Sequence, residues 1–220
     1  MKILHESQID ITGFASVRER VLLQSREYFR HEPAPEAFGQ FGSLLYLANA
    51  WFTPYGSTRL HHHHDEVDIV SVIPRGEILH QGSIGNAMKI AAGFAQIQRS
   101  GEQGFSHNEI NPTDQPQPFI QLWFQPEKIN KQASFELIDI NSAGTTPIYR
   151  SFDTELSALN LGENKSWQCA QECLIFVYAG AGKITLGEMT QPLERGCLVQ
   201  IQAGAIQALN ELKALVFTRN

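Results

Sequence analysis

Gly56-Ser57-Thr58-Arg59-Leu60-His61-His62-His63-His64-Asp65-Glu66-Val67-Asp68-Ile69-Val70-Ser71-Val72-Ile73-Pro74-Arg75-Gly76 sets four consecutive histidines and an acidic pair before a β-branched run, well inside the chain. On an extended strand, residues i and i+2 share a face. The run therefore offers two rival pairs, His61 with His63 or His62 with His64. Either pair could fill adjacent corners of a coordination sphere through neutral imidazole nitrogens. Gly104-Phe105-Ser106-His107-Asn108-Glu109 supplies a second i, i+2 pair, His107 and Glu109. Two such strands facing each other inside a barrel gather three imidazoles and one carboxylate. That mixed donor set suits borderline ions such as Fe(II), Mn(II), Ni(II), Cu(II), Co(II) or Zn(II), with positions left for water or substrate. If the strands do not converge, the same residues are a surface strand end and a polar loop.

From Ser43 onward the chain is a series of short β runs divided by Gly, Pro, Asn and Asp, among them Leu44 to Phe52, Val67 to Ile73, Phe119 to Phe124, Phe135 to Ile140, Leu174 to Tyr178 and Leu215 to Thr218. Many short strands without a long amphipathic helix predict a sandwich or barrel. Residues 1–40 differ: Arg18-Glu19-Arg20, Arg26-Glu27 and the turn Glu32-Pro33-Ala34-Pro35 read as an irregular arm with short helical or strand pieces, packing on the barrels and not a separate domain. Trp123 and Phe124 are expected to pack the barrel, Phe52 and Phe105 to line a pocket, and His80 to sit on a strand surface. Cys169, Cys173 and Cys197 are too sparse and unevenly spaced for a disulfide framework and read as small buried residues. Sparse cysteines, no secretory leader and no apolar run near the roughly 20 residues that span a bilayer point to the cytoplasm and away from a membrane. A net charge of -6 argues against direct contact with nucleic acid.

An internal echo suggests duplication. Gly76-Glu77-Ile78-Leu79 leads to Gly93 and Gln96-Ile97-Gln98, and Gly182-Lys183-Ile184-Thr185 leads to Gly196 and Gln200-Ile201-Gln202. Counting back from the second copy places Gln168 and Ala170 where His62 and His64 stand in the first. Residues 202–210 contain no His, Asp or Glu. The expectation is two tandem small barrels, 41–130 with the metal site and 131–220 without ligands, and so one ion per chain.

Gly56, a five-residue spacer, His62-x-His64, Asp68 and Gly76 resemble the first cupin motif. The finer resemblance is to the pirin-like bicupins. It rests on His62-His63-His64, the strand Val67 to Ile73, Gly76-Glu77, Ser83-Ile84-Gly85-Asn86, Ala92-Gly93, His107-Asn108-Glu109 and Gln121-Leu122-Trp123, in order over residues 50 to 125. Two departures stand out: Ala91 replaces the usual Pro, and Asp65-Glu66 follow the histidines where the family has Arg-Gly.

This resemblance implies an all-β bicupin, two jelly-roll (double-stranded β-helix) barrels. It implies one mononuclear divalent metal, iron(II) foremost, on His62, His64, His107 and Glu109. It further implies a metal-dependent dioxygenase of the quercetin 2,3-dioxygenase kind acting on a small aromatic substrate, with Glu109 as the catalytic base. The competing implication is a non-catalytic, metal- or redox-sensing regulator acting through protein partners. A roomy apolar cleft over the metal discriminates in favour of the oxygenase.

Overall fold

The computed structural model describes residues 1–30, 32–63 and 67–219; His31, His64, Asp65, Glu66 and Asn220 lie outside the described residues. The chain divides into two compact units, Ile9–Asp139 and a second made of Met1–Gln8 with Ile140–Asn220. Strands dominate both, and helix is confined to short pieces.

β1 (Lys2–His5) belongs to the second unit. The first unit contains β2 (Val17–Gln24), α1 (Arg26–Phe29), β3 (Leu44–Phe52), β4 (His61–His63), β5 (Asp68–Ile73), β6 (Glu77–Gly82), β7 (Met88–Ala91), β8 (Phe94–Arg99), β9 (Phe105–Ile110), β10 (Gln117–Phe124) and β11 (Ser134–Asp139). The second unit continues with β12 (Gly144–Ser151), β13 (Thr154–Leu161), β14 (Ser166–Cys169), β15 (Cys173–Ala179), β16 (Ala181–Leu186), β17 (Met189–Glu194), β18 (Cys197–Ile201), β19 (Gly204–Ala208) and β20 (Leu212–Arg219).

Each unit pairs a six-stranded with a four-stranded antiparallel sheet. The orders are β11-β8-β5-β10-β3-β2 with β4-β9-β6-β7, and β1-β18-β15-β20-β13-β12 with β14-β19-β16-β17. Adding ten to each strand number converts the first pattern into the second, except that β1 stands where the repeat would place a strand after β20. The duplication is thus written in the topology. Its register differs by two residues from the sequence echo. Gly93 N–H donates to the Ile73 carbonyl at 3.0 Å, and Gly196 N–H to the Val177 carbonyl at 2.8 Å, so the counterpart of Gly76 is Gly180, not Gly182. Both residues have φ near +70° (70° and 77°), where a side chain is strained.

The short strand and helical pieces expected in 1–40 are present, but the strands are built into the sheets instead of forming an arm over them. The first strand, β1, pairs with β18; β2 forms the edge of the first unit's larger sheet; and only a short helix and turns remain irregular. α1 is four residues long, and Ser25 fixes it. The Ser25 hydroxyl accepts from Tyr28 N–H at 3.3 Å and donates to Gln40 Oε1 at 2.8 Å, and Arg30, at φ 56°, ends the helix. Ser25→Ala is expected to cost about 1 kcal/mol, the usual worth of an N-cap, read as a lowered urea midpoint.

In the first unit Phe52 stacks on Phe119 with ring centroids 4.6 Å apart, among Val17, Ala50, Ile73, Ile78 and Ile90. Phe52 therefore belongs to the core and not to a pocket wall. The second unit is filled with apolar side chains, including Ile184, Ile206, Leu193 and Leu212, with Trp167 packed against them. Cys169, Cys173 and Cys197 are buried free thiols there, and burial pushes Cys173 well above the usual thiol range. Among the described residues no helix is long and apolar enough to cross a membrane.

Candidate metal centre

The inner faces of the first unit carry polar residues where the second carries aliphatic ones. Ser71, His80, Gln96, Gln98, His107 and Glu109 are all fully buried. They are neighbours across strands: Ser71 lies opposite Gln96 on β8 and Gln121 on β10, and His80 on β6 lies opposite Glu109 on β9.

β4 pairs with β9 so that His61 faces His107 and His63 faces Phe105. Gly104 allows the approach: at φ +70° it takes a backbone turn that a side chain resists, and a Cβ there would strike the His63 carbonyl. With this register His61 and His63 turn inward. Their Nε2 atoms lie 3.0 Å apart, and each is 3.1 Å from His107 Nε2. Adjacent corners of an octahedron with bonds of about 2.1 Å are about 3 Å apart, so the triangle has the size of one coordination face.

The protonation pattern suits ligation. His61 Nδ1 lies 2.9 Å from the Arg59 carbonyl, which can only accept, so Nδ1 carries the hydrogen and Nε2 presents a lone pair. Burial, then the charges of His63, His61 and His80, push His107 down to about 2. It is a neutral imidazole, the form that binds metal.

Glu109, two residues beyond His107, points to the same side. Gln96 Nε2 donates to its Oε1, while Oε2 is buried without a partner. Burial raises its carboxyl to about 7, against the lowering effect of that hydrogen bond. His80 donates from Nε2 to the Ile84 carbonyl at 3.1 Å, so its buried Nδ1 is an acceptor with no donor. Two sets of three potential ligands therefore share His107: His61, His63 and His107, and His80, His107 and Glu109, each with ligand atoms within 4.8 Å of one another. Buried acceptors lacking donors carry a desolvation cost, and a cation in their midst removes it. The donor set fits a divalent borderline ion.

Of the four ligands expected from sequence, His107 and Glu109 come together on β9. His62 is exposed on the other face of β4, with Nδ1 2.8 Å from Ser106 Oγ and Nε2 3.1 Å from the Gln103 carbonyl. His64 lies outside the described residues. The motif count from Gly56 pointed to His62, whereas Arg59 inside that spacer turns at φ 62° and the pairing of β4 with β9 puts His61 and His63 inward. His80, expected on the surface, is fully buried against His107, with rings 5.5 Å apart. Phe105 packs on His63 and His107 at 5.1 and 5.3 Å, as a residue beside the site.

A cavity of about 470 Å³ adjoins the triad, its wall including His61, His63, Phe29, Tyr46, Gln121 and Trp123. Trp123 faces this cavity, although sequence suggested core packing: His63 meets it edge-on at 5.5 Å, and Tyr46 and Phe29 flank it at 5.7 and 5.6 Å.

A Pirin family model matches residues 24–124, which spans the triad, Glu109 and the Trp123 wall. The chain has the fold of the pirin-like bicupins, and residues 24–124 resemble the Pirin family in sequence. Over 171 residues it is 24% identical to a quercetin 2,3-dioxygenase of Escherichia coli O157:H7, covering 71% of this chain and 74% of that one. The fold matches that of a bacterial pirin from Escherichia coli in complex with nickel(II), with TM-score 0.79, 19% identity, and 99% and 97% of the two chains covered. It also matches a quercetin 2,3-dioxygenase from Acinetobacter baumannii, with TM-score 0.67, 16% identity, and 100% and 86% covered. At these identities the two structures speak for the pirin-like fold alone.

Proposed function

We propose that this pirin-like protein is a metal-dependent dioxygenase of the quercetin 2,3-dioxygenase kind, acting on flavonol-like aromatics. The observation that carries the proposal is the aromatic-walled cavity beside His61 and His63. A site built only to sense or hold an ion has no need of a cavity of that volume over its ligands.

His61, His63 and His107 would hold a divalent ion, iron(II) or a neighbour in the borderline series, and Glu109, which gathers with His80 and His107 rather than with His61 and His63, would be the carboxylate beside it. When bound, the metal supplies Lewis-acid activation of the flavonol's 3-hydroxyl and adjacent carbonyl. Glu109, whose Oε2 has no donor, would take up the hydroxyl proton. Gln96 holds the other oxygen, so the carboxylate plane is fixed before substrate arrives. Phe29, Tyr46 and Trp123 grip the flat rings and exclude water. The small aromatic ligand, rather than a protein or nucleic acid, is the partner in this reading.

The test is metal content by mass spectrometry on anaerobically purified, untagged protein, with oxygen uptake on quercetin in the same sample. One equivalent of metal with quercetin-dependent oxygen consumption is the expected result. One equivalent without turnover would favour a sensing protein instead, and no metal would end the site assignment.

A further inference from the structure

The cavity has a second polar feature that the metal chemistry does not use. Glu19 on β2 and Tyr46 on β3 both line it. Tyr46 Oη donates to Glu19 Oε2 at 2.8 Å, and both side chains are under a tenth exposed. The phenol's one hydrogen is committed to that bond. Among the described residues, Glu19 Oε1 carries no hydrogen bond, so a buried carboxylate presents an open acceptor to the cavity. Burial raises the Glu19 carboxyl, with the Tyr46 hydrogen bond opposing that rise. An acceptor kept in so dry a place gains most from a donor brought by a ligand.

The contacts leading there form a series. His63 meets Trp123, Trp123 meets Tyr46, and Tyr46 reaches Glu19. A flat ligand with chelating oxygens at the histidines would lie along Trp123 and Tyr46 and bring its far ring toward Glu19. The other charged groups on the wall are Asp10 and Glu32, also acidic, and Arg26 pairs with Glu32 at 2.5 Å. No Lys or Arg lines the cavity among the described residues. A carboxylate on the far end of a ligand would find no cation, whereas a hydroxyl would find an acceptor.

We propose that Glu19, held by Tyr46, recognises a hydroxyl on the ligand ring remote from the metal, and so selects polyhydroxylated aromatics over those that lack that hydroxyl. This rests on the oxygenase reading and names the substrate feature it requires. The role is recognition, not proton transfer at the reacting atoms.

The experiment compares quercetin with 3-hydroxyflavone, which has the same chelating oxygens but no hydroxyls on its other rings. Binding to the nickel(II)-loaded full chain is followed by quenching of tryptophan fluorescence. The unsubstituted protein should bind quercetin about tenfold more tightly, the scale of one hydrogen bond to a charged group. In Glu19→Gln that preference should fall to about threefold or less, with 3-hydroxyflavone affinity and nickel content unchanged. Should Glu19→Gln fail to fold, Glu19→Asp shortens the side chain by one methylene, withdraws the acceptor from the cavity and should erode the preference in the same way. A tenfold preference that survives both substitutions overturns the assignment. Equal affinity of the unsubstituted protein for the two flavonols overturns it too, and leaves the oxygenase reading standing. Failure to bind either flavonol sinks both.

Discussion

Replacing His63 by alanine is expected to weaken nickel(II) or iron(II) binding by more than the roughly 10–100-fold that changes one shell further out cost, while His62→Ala leaves affinity within about twofold. The contrast follows from one feature, the pairing of β4 with β9. His61 opposite His107 puts the odd-numbered histidines inside, and His63 Nε2 then lies 3.1 Å from His107 Nε2. Removing it takes one corner from a three-nitrogen face, and the remaining two cannot close on the ion from a fixed strand. His62 has its ring bonded to Ser106 and Gln103 outside the barrel, so its loss touches nothing in the centre. Isothermal titration of metal into chelator-stripped protein reads both variants. A slip of one residue would flip every side chain of β4 to the other face. Normal binding by His63→Ala with loss in His62→Ala would therefore mean the strand is registered the other way.

Much of the fold was legible because strand periodicity and turn residues are local signals. Leu44 to Phe52 and Phe119 to Phe124 stand close to where alternation and punctuation placed them. The edge strand β2 was not, since Arg18, Glu19 and Arg20 broke its apolar pattern. Glu19 lines a cavity, so its charge misled as to structure. β1 could not be read at all, because its partner β18 lies almost the whole chain away. The His107–Glu109 pair was legible from i, i+2 spacing alone. The histidine pair was not, since four identical residues carry no polarity pattern and only the partner strand decides which face is inner. His80 left a usable signal: Ile78 and His80 alternate with the less buried Glu77 and Leu79, which places His80 on the inner face. Its chemistry suggested the surface, but its phase on the strand did not.

In the metal-free protein Glu109→Gln is expected to raise stability above pH 7 by about 3 kcal/mol, from roughly 1.4 kcal/mol per pKa unit. The carboxyl is raised from its ordinary 4.5 to about 7 by complete burial. Below pH 4.5 it is protonated in both folded and unfolded chains, and the substitution changes little. Between pH 4.5 and 7 the unfolded chain releases the proton while the folded one retains it, so the glutamate protein loses stability as pH rises through that window. Above pH 7 the penalty is constant. Glutamine stays neutral throughout, so the gap between the two proteins should open from pH 4.5 and level off near 7. His80 and His107 are held neutral by burial and weaken the fold as pH falls below the ordinary histidine range, but they are common to both proteins and drop out of the difference. Urea unfolding with chelator present at several pH values measures the gap, and parallel stability curves would refute the account. Added metal should reverse the order, since the ion stabilises the carboxylate that burial disfavours and glutamine is the poorer ligand. A group that costs the empty fold stability and repays it only when loaded is what a binding site, and not a packing position, requires.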